Sequence, residues 1–207
     1  MKLGRKKMAN HVSFSVQFDE DNSTLMKEKW RQITQKLHND ESSDGEYWFG
    51  DLFTNEDLSL DDVRQYSWTT SEIGPKWCYI QEYDDDGFYG YSAWDAPERG
   101  LEKLLTEIAG AKDITSITYE DEGLNFAGYS IYEGEEVVDG CQDEYEEIIE
   151  RCQQVHDDLK DRYSFDEEAW LDEESEEFFN DNVWETLSDE YSCYIIDVVD
   201  SIKAAPR

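Results

Sequence analysis

The residues best able to carry out chemistry are three histidines, four cysteines and a large number of carboxylates. Acid–base or nucleophilic catalysis needs such groups to meet in a pocket that shifts their pKa values. None stands in a known Cys–His or Ser–His signature, and there is no P-loop or Gly-x-Gly-x-x-Gly sequence. The histidines and cysteines are His11, His38, His156, Cys78, Cys141, Cys152 and Cys193. The sequence therefore predicts no catalytic residue, no cofactor and no enzyme activity.

One stretch partly matches a calcium-binding loop. Asp40, Ser42, Asp44 and Gly45 stand where an EF-hand has its first ligands and its turn glycine, and Asp51 stands at the last ligand position. That last position normally holds a bidentate glutamate, and aromatic residues fill two inner positions. The cysteines also lack the spacing of zinc ligands. We therefore expect a polar loop here and no metal site.

Charge is the dominant feature of the composition. The chain has 52 acidic and 18 basic residues among 207, which gives a net charge of −34. Such a surface repels phosphates and anionic membranes and attracts cationic partners. The 7 Trp, 13 Tyr and 9 Phe residues are typical of a folded chain, because an acidic disordered segment is poor in aromatics. We expect a protein partner, no direct nucleic-acid binding and no membrane association.

Cysteine usage and hydropathy indicate the compartment. The cysteines form no paired motif, which favours a reducing environment. No apolar run is long enough for a membrane span, and the basic start lacks the apolar stretch of a signal peptide. We expect a cytoplasmic protein.

Three regions are expected: a basic tail (1–8), an α+β domain (9–140) and an acidic helical region (141–207). In the second region, alternating Val12, Phe14, Val16 and Phe18 predict a half-buried strand. A helix capped by Ser23 follows, and a helix capped by Asp95 comes later. The remaining strands are expected at 77–83, 88–94, 114–119 and 126–132. Two β-α-β-like halves of this kind favour a ferredoxin-like βαββαβ sandwich.

The strands at 77–83 and 88–94 are rich in aromatic residues. Their rings could form a stacking platform of the kind found in sheet-type RNA-binding domains. Such domains also need cations for phosphates, and only Lys76 is near in sequence, among several carboxylates. Packing in the core against helices is therefore the expectation for Trp77, Tyr79, Phe88, Tyr89, Tyr91 and Trp94.

The acidic third of the chain suggests two interaction surfaces. Carboxylates along exposed helices could imitate the phosphates of nucleic acid, although solvated helix faces would have the same composition. The candidates are Asp166, Glu167, Glu168, Asp172, Glu173, Glu174, Glu176 and Glu177. A last helix, capped by Ser188, carries an apolar stripe suited to self-association. That stripe consists of Tyr191, Tyr194, Ile195, Val198, Val199 and Ile202.

Two segments resemble a known family. They read SAWDAPERGLEKLL and ITSITYEDEGLNFAGYSIYEG, and the opening MANHVSFSVQF adds to the likeness. Together they are similar to the YubB-like ferredoxin-like domain of phages and plasmids. The resemblance implies the βαββαβ fold and a phage or plasmid setting, but no activity and no functional residue.

The leading expectation is thus a non-enzymatic, acidic phage accessory protein that binds a host or phage protein. In one form it is a decoy that takes the place of nucleic acid on a nucleic-acid-binding protein. The alternative is a structural or assembly protein that forms a homodimer through its C-terminal helix.

Overall fold

The computed structural model describes residues 11–37, 46–153, 157 and 185–204. Within these ranges the chain is α+β, as expected, with seven strands and six α-helices. The strands are β1 (His11–Phe18), β2 (Tyr47–Trp48), β3 (Cys78–Tyr83), β4 (Gly87–Ala93), β5 (Ile114–Asp121), β6 (Phe126–Glu133) and β7 (Glu136–Glu144). The helices are α1 (Thr24–Thr34), α2 (Leu60–Val63), α3 (Tyr66–Glu72), α4 (Glu98–Ile108), α5 (Tyr145–Arg151) and α6 (Glu185–Lys203), and Phe49–Phe53 forms a 3-10 turn.

The strands form one open antiparallel sheet in the order β2-β3-β4-β1-β5-β6-β7. The expected ferredoxin-like sandwich has four strands, so a seven-stranded sheet does not by itself confirm that topology. The sequence pattern did not predict β7. Its first five residues, 136–140, are all exposed, so they carry no alternation of apolar and polar side chains.

The core lies on one face of β1. Val12, Phe14, Val16 and Phe18 are all buried there, as the alternation predicts. The Trp30 ring of α1 stacks on Phe88 of β4 at 5.2 Å between centroids and meets Phe18 edge-on at the same distance. The Trp30 indole N–H donates to the Asp84 carbonyl oxygen at 2.7 Å, so its polar atom is satisfied. Such aromatic pairs add about 0.5–1.5 kcal/mol each beyond the area that they bury.

One of the three expected helix caps is confirmed and two are wrong. The Ser23 hydroxyl accepts the Met26 N–H at 3.2 Å and caps α1. Helix α4 begins only at Glu98, after Pro97, and Asp95 instead accepts the adjacent Ala96 N–H at 3.0 Å. Ser188 lies inside α6, which begins at Glu185.

Contacts divide the chain into two compact units. The first is 1–123 with 129–141, and the second is 124–128 with 142–207. The break at 141/142 falls one residue from the boundary expected between the α+β domain and the acidic region. The short segment 124–128 belongs to the second unit, which no sequence pattern indicated.

A polar cluster organises the second unit. The Tyr191 hydroxyl donates to the buried Asp143 carboxylate at 2.8 Å. Arg151 donates to the same carboxylate through Nε and through Nη2, and its Nη1 donates to the Tyr194 hydroxyl at 2.7 Å. These bonds tie α6 to α5 and to the end of β7. No helix in the described part of the chain is long and apolar enough to cross a membrane.

Gly90 provides a test of the close approach between β3 and β4. A Cβ atom at this position would lie 1.9 Å from the Tyr79 carbonyl oxygen, which is backbone and cannot rotate away. We expect Gly90→Ala to lower the free energy of unfolding by about 1–3 kcal/mol or more, measured by urea denaturation. Ser13→Ala, on an exposed position of β1, is the control and should change little. Equal stability of the two variants would contradict the pairing of Gly90 with β3.

Candidate functional site

The face of the sheet opposite Phe14 and Phe18 carries the side chains that are available for binding. On β1 it consists of His11, Ser13, Ser15 and Gln17, which alternate with the core residues. Ser13 pairs with Tyr91 and Ser15 with Tyr89 on β4. Cross-strand partners share a face, so these tyrosines lie on the same side. We call this side the open face.

An aromatic cluster covers one end of the open face. It consists of Trp48, Tyr79, Tyr91, Trp77 and His11. Ring centroids are 5.0 Å apart for Trp48 and Tyr79, 5.8 Å for Tyr79 and Tyr91, and 5.0 Å for His11 and Trp77. His11 also stacks nearly parallel on Tyr91, at 5.9 Å and 13°. These spacings are those of attractive ring pairs, so the rings support one another in a fixed arrangement.

A groove of about 470 Å³ runs over the aromatic cluster and ends at Arg64. The Arg64 guanidinium donates to both oxygens of Asp51, at 3.3 Å from Nε and 3.0 Å from Nη2. Asp51 is fully buried, so this ion pair holds the arginine in place beside the rings. Asp51, the last ligand position of the calcium-loop pattern, is therefore paired with a cation. Residues 40–45 of that pattern lie outside the described residues.

The other end of the open face is acidic. A second groove, of about 500 Å³, is lined there by Ser15, Gln17 and Tyr89. Its acidic lining residues are Glu20, Glu82, Asp84 and Asp86. The Tyr89 ring is 41% exposed, and its hydrogen bond with Glu82 raises the pKa of the Tyr89 hydroxyl. The open face thus combines ring faces with carboxylates a few residues away.

The expectation that the aromatic strand residues pack in the core is wrong for most of them. Phe88 is buried against Trp30, as expected. Tyr89 and Tyr91 alternate with Phe88 along β4 and therefore lie on the open face. Tyr79 pairs with Tyr91 from β3, and Trp77 contacts both rings on the same side.

Three residues of the open face were not predicted from the sequence, namely His11, Trp48 and Arg64. His11 could have been found, because it continues the exposed set of β1. Tertiary contacts bring Trp48 and Arg64 to the open face, and no local sequence pattern predicts such contacts.

The two interaction surfaces suggested by the sequence have different outcomes. All eight candidate carboxylates between Asp166 and Glu177 lie outside the described residues. In the apolar stripe of α6, Tyr191, Ile195 and Val199 are at most 4% exposed. The other three members, Tyr194, Val198 and Ile202, are half-buried. Half of the stripe therefore packs within the chain, and self-association through the other half stays a prediction.

Histidine, cysteine and acidic side chains are the groups of the described residues that could hold a metal ion or act as nucleophiles. No group of three or more histidine, cysteine or acidic side chains in these ranges could hold a metal ion. All four cysteines are free thiols, and burial raises the pKa of Cys78 well above its usual value, which disfavours the reactive thiolate. His11 makes its ring contacts with Trp77 and Tyr91.

One half-buried acid has a shifted pKa. The Ser130 hydroxyl donates to the Glu98 carboxylate at the start of α4. Burial raises the pKa of Glu98, and the nearby Asp95 and Glu102 add to the effect. Tyr119 and Tyr132 are buried close by, and burial raises the pKa of both hydroxyls. The arrangement disfavours charge on Glu98 in the folded state.

Glu98→Gln should therefore stabilise the protein at neutral pH. Because the folded-state pKa is raised, the stability linked to protonated Glu98 is fully present below its unfolded-state pKa. It is lost as the pH rises through the folded-state pKa. We expect the variant to have the higher Tm at about pH 7, with a gap that closes toward about pH 4, measured by thermal unfolding. Glu107→Gln, on an exposed position of the same helix, is the control, and an equal response of the two variants would refute the assignment.

Comparison with known proteins assigns neither a family nor a function. No protein-family model, no curated protein and no solved structure matches this chain. The geometry of the open face is therefore the basis for a functional assignment.

Proposed function

We propose that this is a non-enzymatic binding protein that takes a basic segment of a partner protein on its open face. The observation that carries the proposal is the aromatic cluster around Trp77, which lies beside a carboxylate-lined groove on the same side of the sheet. The aromatic end suits cationic side chains and the apolar stems that carry them. The acidic end suits further cations of the same segment.

Physical chemistry favours a cation as the ligand. A lysine or arginine over an aromatic ring gains about 0.5–1 kcal/mol at an exposed site and about 2 kcal/mol when it is desolvated. The stems of these side chains also bury apolar area against the rings. The carboxylates of Glu82 and Asp84 can pair with further cations. The net charge of −34 also attracts basic segments to the chain.

The same face fits nucleic acid poorly. Rings on a sheet can stack bases, but such binding also needs a positively charged track for the phosphates. Arg64 is already paired with Asp51, and the neighbouring groove is lined by Glu20, Glu82 and Asp84. Repulsion between these carboxylates and phosphates opposes a bound strand.

Proteins that bind nucleic acid are the partner class that most often presents lysine- and arginine-rich segments. A carboxylate surface that occupies such a segment would compete with DNA or RNA for it, which is the decoy role. The acidic residues from Asp166 to Glu177 add to the negative charge of the chain, which attracts such segments. This part of the proposal depends on charge and on salt, because exposed ion pairs are screened over about 10 Å at 0.1 M salt.

We further propose that the inner strands form a ferredoxin-like unit with additions. Their order, β3-β4-β1-β5, together with crossovers through α1 and α4, supports that view. On this view β2, β6 and β7 are extensions of the unit. The phage or plasmid setting implied by the resemblance to YubB-like domains belongs to the same proposal.

A charge-neutral substitution tests the binding face. We expect a fluorescent peptide of alternating arginine and glycine to bind the parent protein. Trp77→Ala should weaken that binding about three- to thirtyfold, because it removes a cation–π and packing surface without changing any charge. Fluorescence anisotropy at low and moderate salt measures both affinities.

Tyr66→Ala is the matched control, since Tyr66 is a 62% exposed aromatic residue on α3 that lines neither groove of the open face. It should bind as the parent does. Absence of binding by the parent would overturn the proposed function. So would equal affinities of the parent and the Trp77 variant, because the peptide would then be held by net charge alone.

A further inference from the structure

Trp94 occupies a backbone conformation that a tryptophan rarely adopts. It follows the last residue of β4, and its φ of 73° lies in the left-handed region that favours glycine. The Ser92 hydroxyl, which is fully buried, donates to the Asp95 carbonyl oxygen at 2.6 Å and closes the turn around it. The turn is over-determined by its neighbours, which is the usual condition for strain to persist.

The side chain that results from this strained turn points into solvent. Trp94 is 55% exposed, whereas Ala93 just before it and Ala96 two residues after it are buried. A glycine would make the same turn without strain, and an exposed indole contributes little to the stability of the fold. Strain and exposure at one residue together indicate a role in binding, where tryptophan is the commonest energetic anchor.

The indole already holds a cation. The ammonium of Lys76 lies over the Trp94 ring, 5.4 Å from its centroid. Lys76 is exposed and directly precedes Trp77 of the aromatic cluster. The Ala93 N–H donates to the Trp77 carbonyl oxygen at 3.0 Å, and Ala93 pairs with His11 on β1. The backbone of Trp94 therefore lies at the same end of the strands as Trp77 and His11.

We propose that Trp94 is the anchor for one lysine or arginine side chain of the partner segment, and that Lys76 is the internal cation which this side chain displaces. This inference rests on the proposed binding function and assigns its specificity. Lys76 competes for the ring and repels an incoming cation, so its removal should strengthen binding. Removal of Trp94 should weaken binding without harm to the fold.

The experiment compares charge-matched variants with the arginine–glycine peptide and with its lysine–glycine counterpart. Lys76→Met should bind the peptides about two- to fivefold more tightly than Lys112→Met. Lys112 is an exposed lysine in the turn before β5, so both variants change the net charge equally. Trp94→Gly and Trp94→Asn should weaken binding about three- to tenfold while keeping a Tm at or above that of the parent. In the Trp94→Gly background, Lys76→Met should lose its advantage over Lys112→Met, because the two residues act at one site.

The outcomes separate this inference from the proposed function. If the parent binds and Trp77→Ala weakens binding, but the Trp94 variants bind as the parent does, the anchor is wrong and the binding face stands. Equal affinities of the Lys76 and Lys112 variants would overturn the displacement. Failure of the parent to bind either peptide would overturn the proposed function and the anchor together. A fall in Tm for both Trp94 variants would show that the residue serves the fold and would contradict the inference.

Discussion

The central position of β1 is the constraint on which the rest of this structure depends. Hydrogen-bonded to β4 on one side and to β5 on the other, the strand has no free edge and only two faces. Val12, Phe14, Val16 and Phe18 commit one face to the core, where Trp30 closes over Phe18 and Phe88. A slip of one residue would expose all four apolar side chains, so the register is strongly fixed. The same register commits His11, Tyr89 and Tyr91 to the other face.

The open face, which we propose as the binding face, is thus a consequence of core packing. The rings of the aromatic cluster support one another through edge and tilted contacts, while the Asp51–Arg64 pair and the buried Ser92 hold the chain segments around them. A rigid aromatic surface loses little entropy when a ligand binds, which favours affinity over adaptability. In the proposed function, the acidic groove beside it attracts the basic segment and pairs with its cations. In the second unit, Arg151 and Tyr191 both donate to Asp143, and Ile195 and Val199 of the apolar stripe of α6 are buried.

Elements with a clear period could be predicted from the sequence, whereas features that tertiary contacts decide could not. The alternation in β1 and the Ser23 cap were readable because each depends on a few neighbouring residues. The sequence also predicts the strands that contain Tyr79 and Tyr91. It does not predict which side chains of these strands face the core, because aromatic residues occur on both sides. The pairing of Asp51 with Arg64 spans a turn and two short helical segments, and no local pattern encodes it. Strand β7 could not be predicted, because an exposed edge strand lacks the alternation of apolar and polar residues.

Indole NMR signals offer a direct test of whether the open face binds a basic segment. Titration of the ¹⁵N-labelled protein with the arginine–glycine peptide reports on the indole N–H groups of all 7 tryptophans at once. We expect the indole signals of Trp77 and Trp94 to shift in a saturable way. The signal of Trp30 should not shift, because this residue is buried in the core and its N–H donates to the Asp84 carbonyl oxygen. Saturable binding that leaves the Trp77 and Trp94 signals unmoved would place the ligand elsewhere and contradict the proposed binding face.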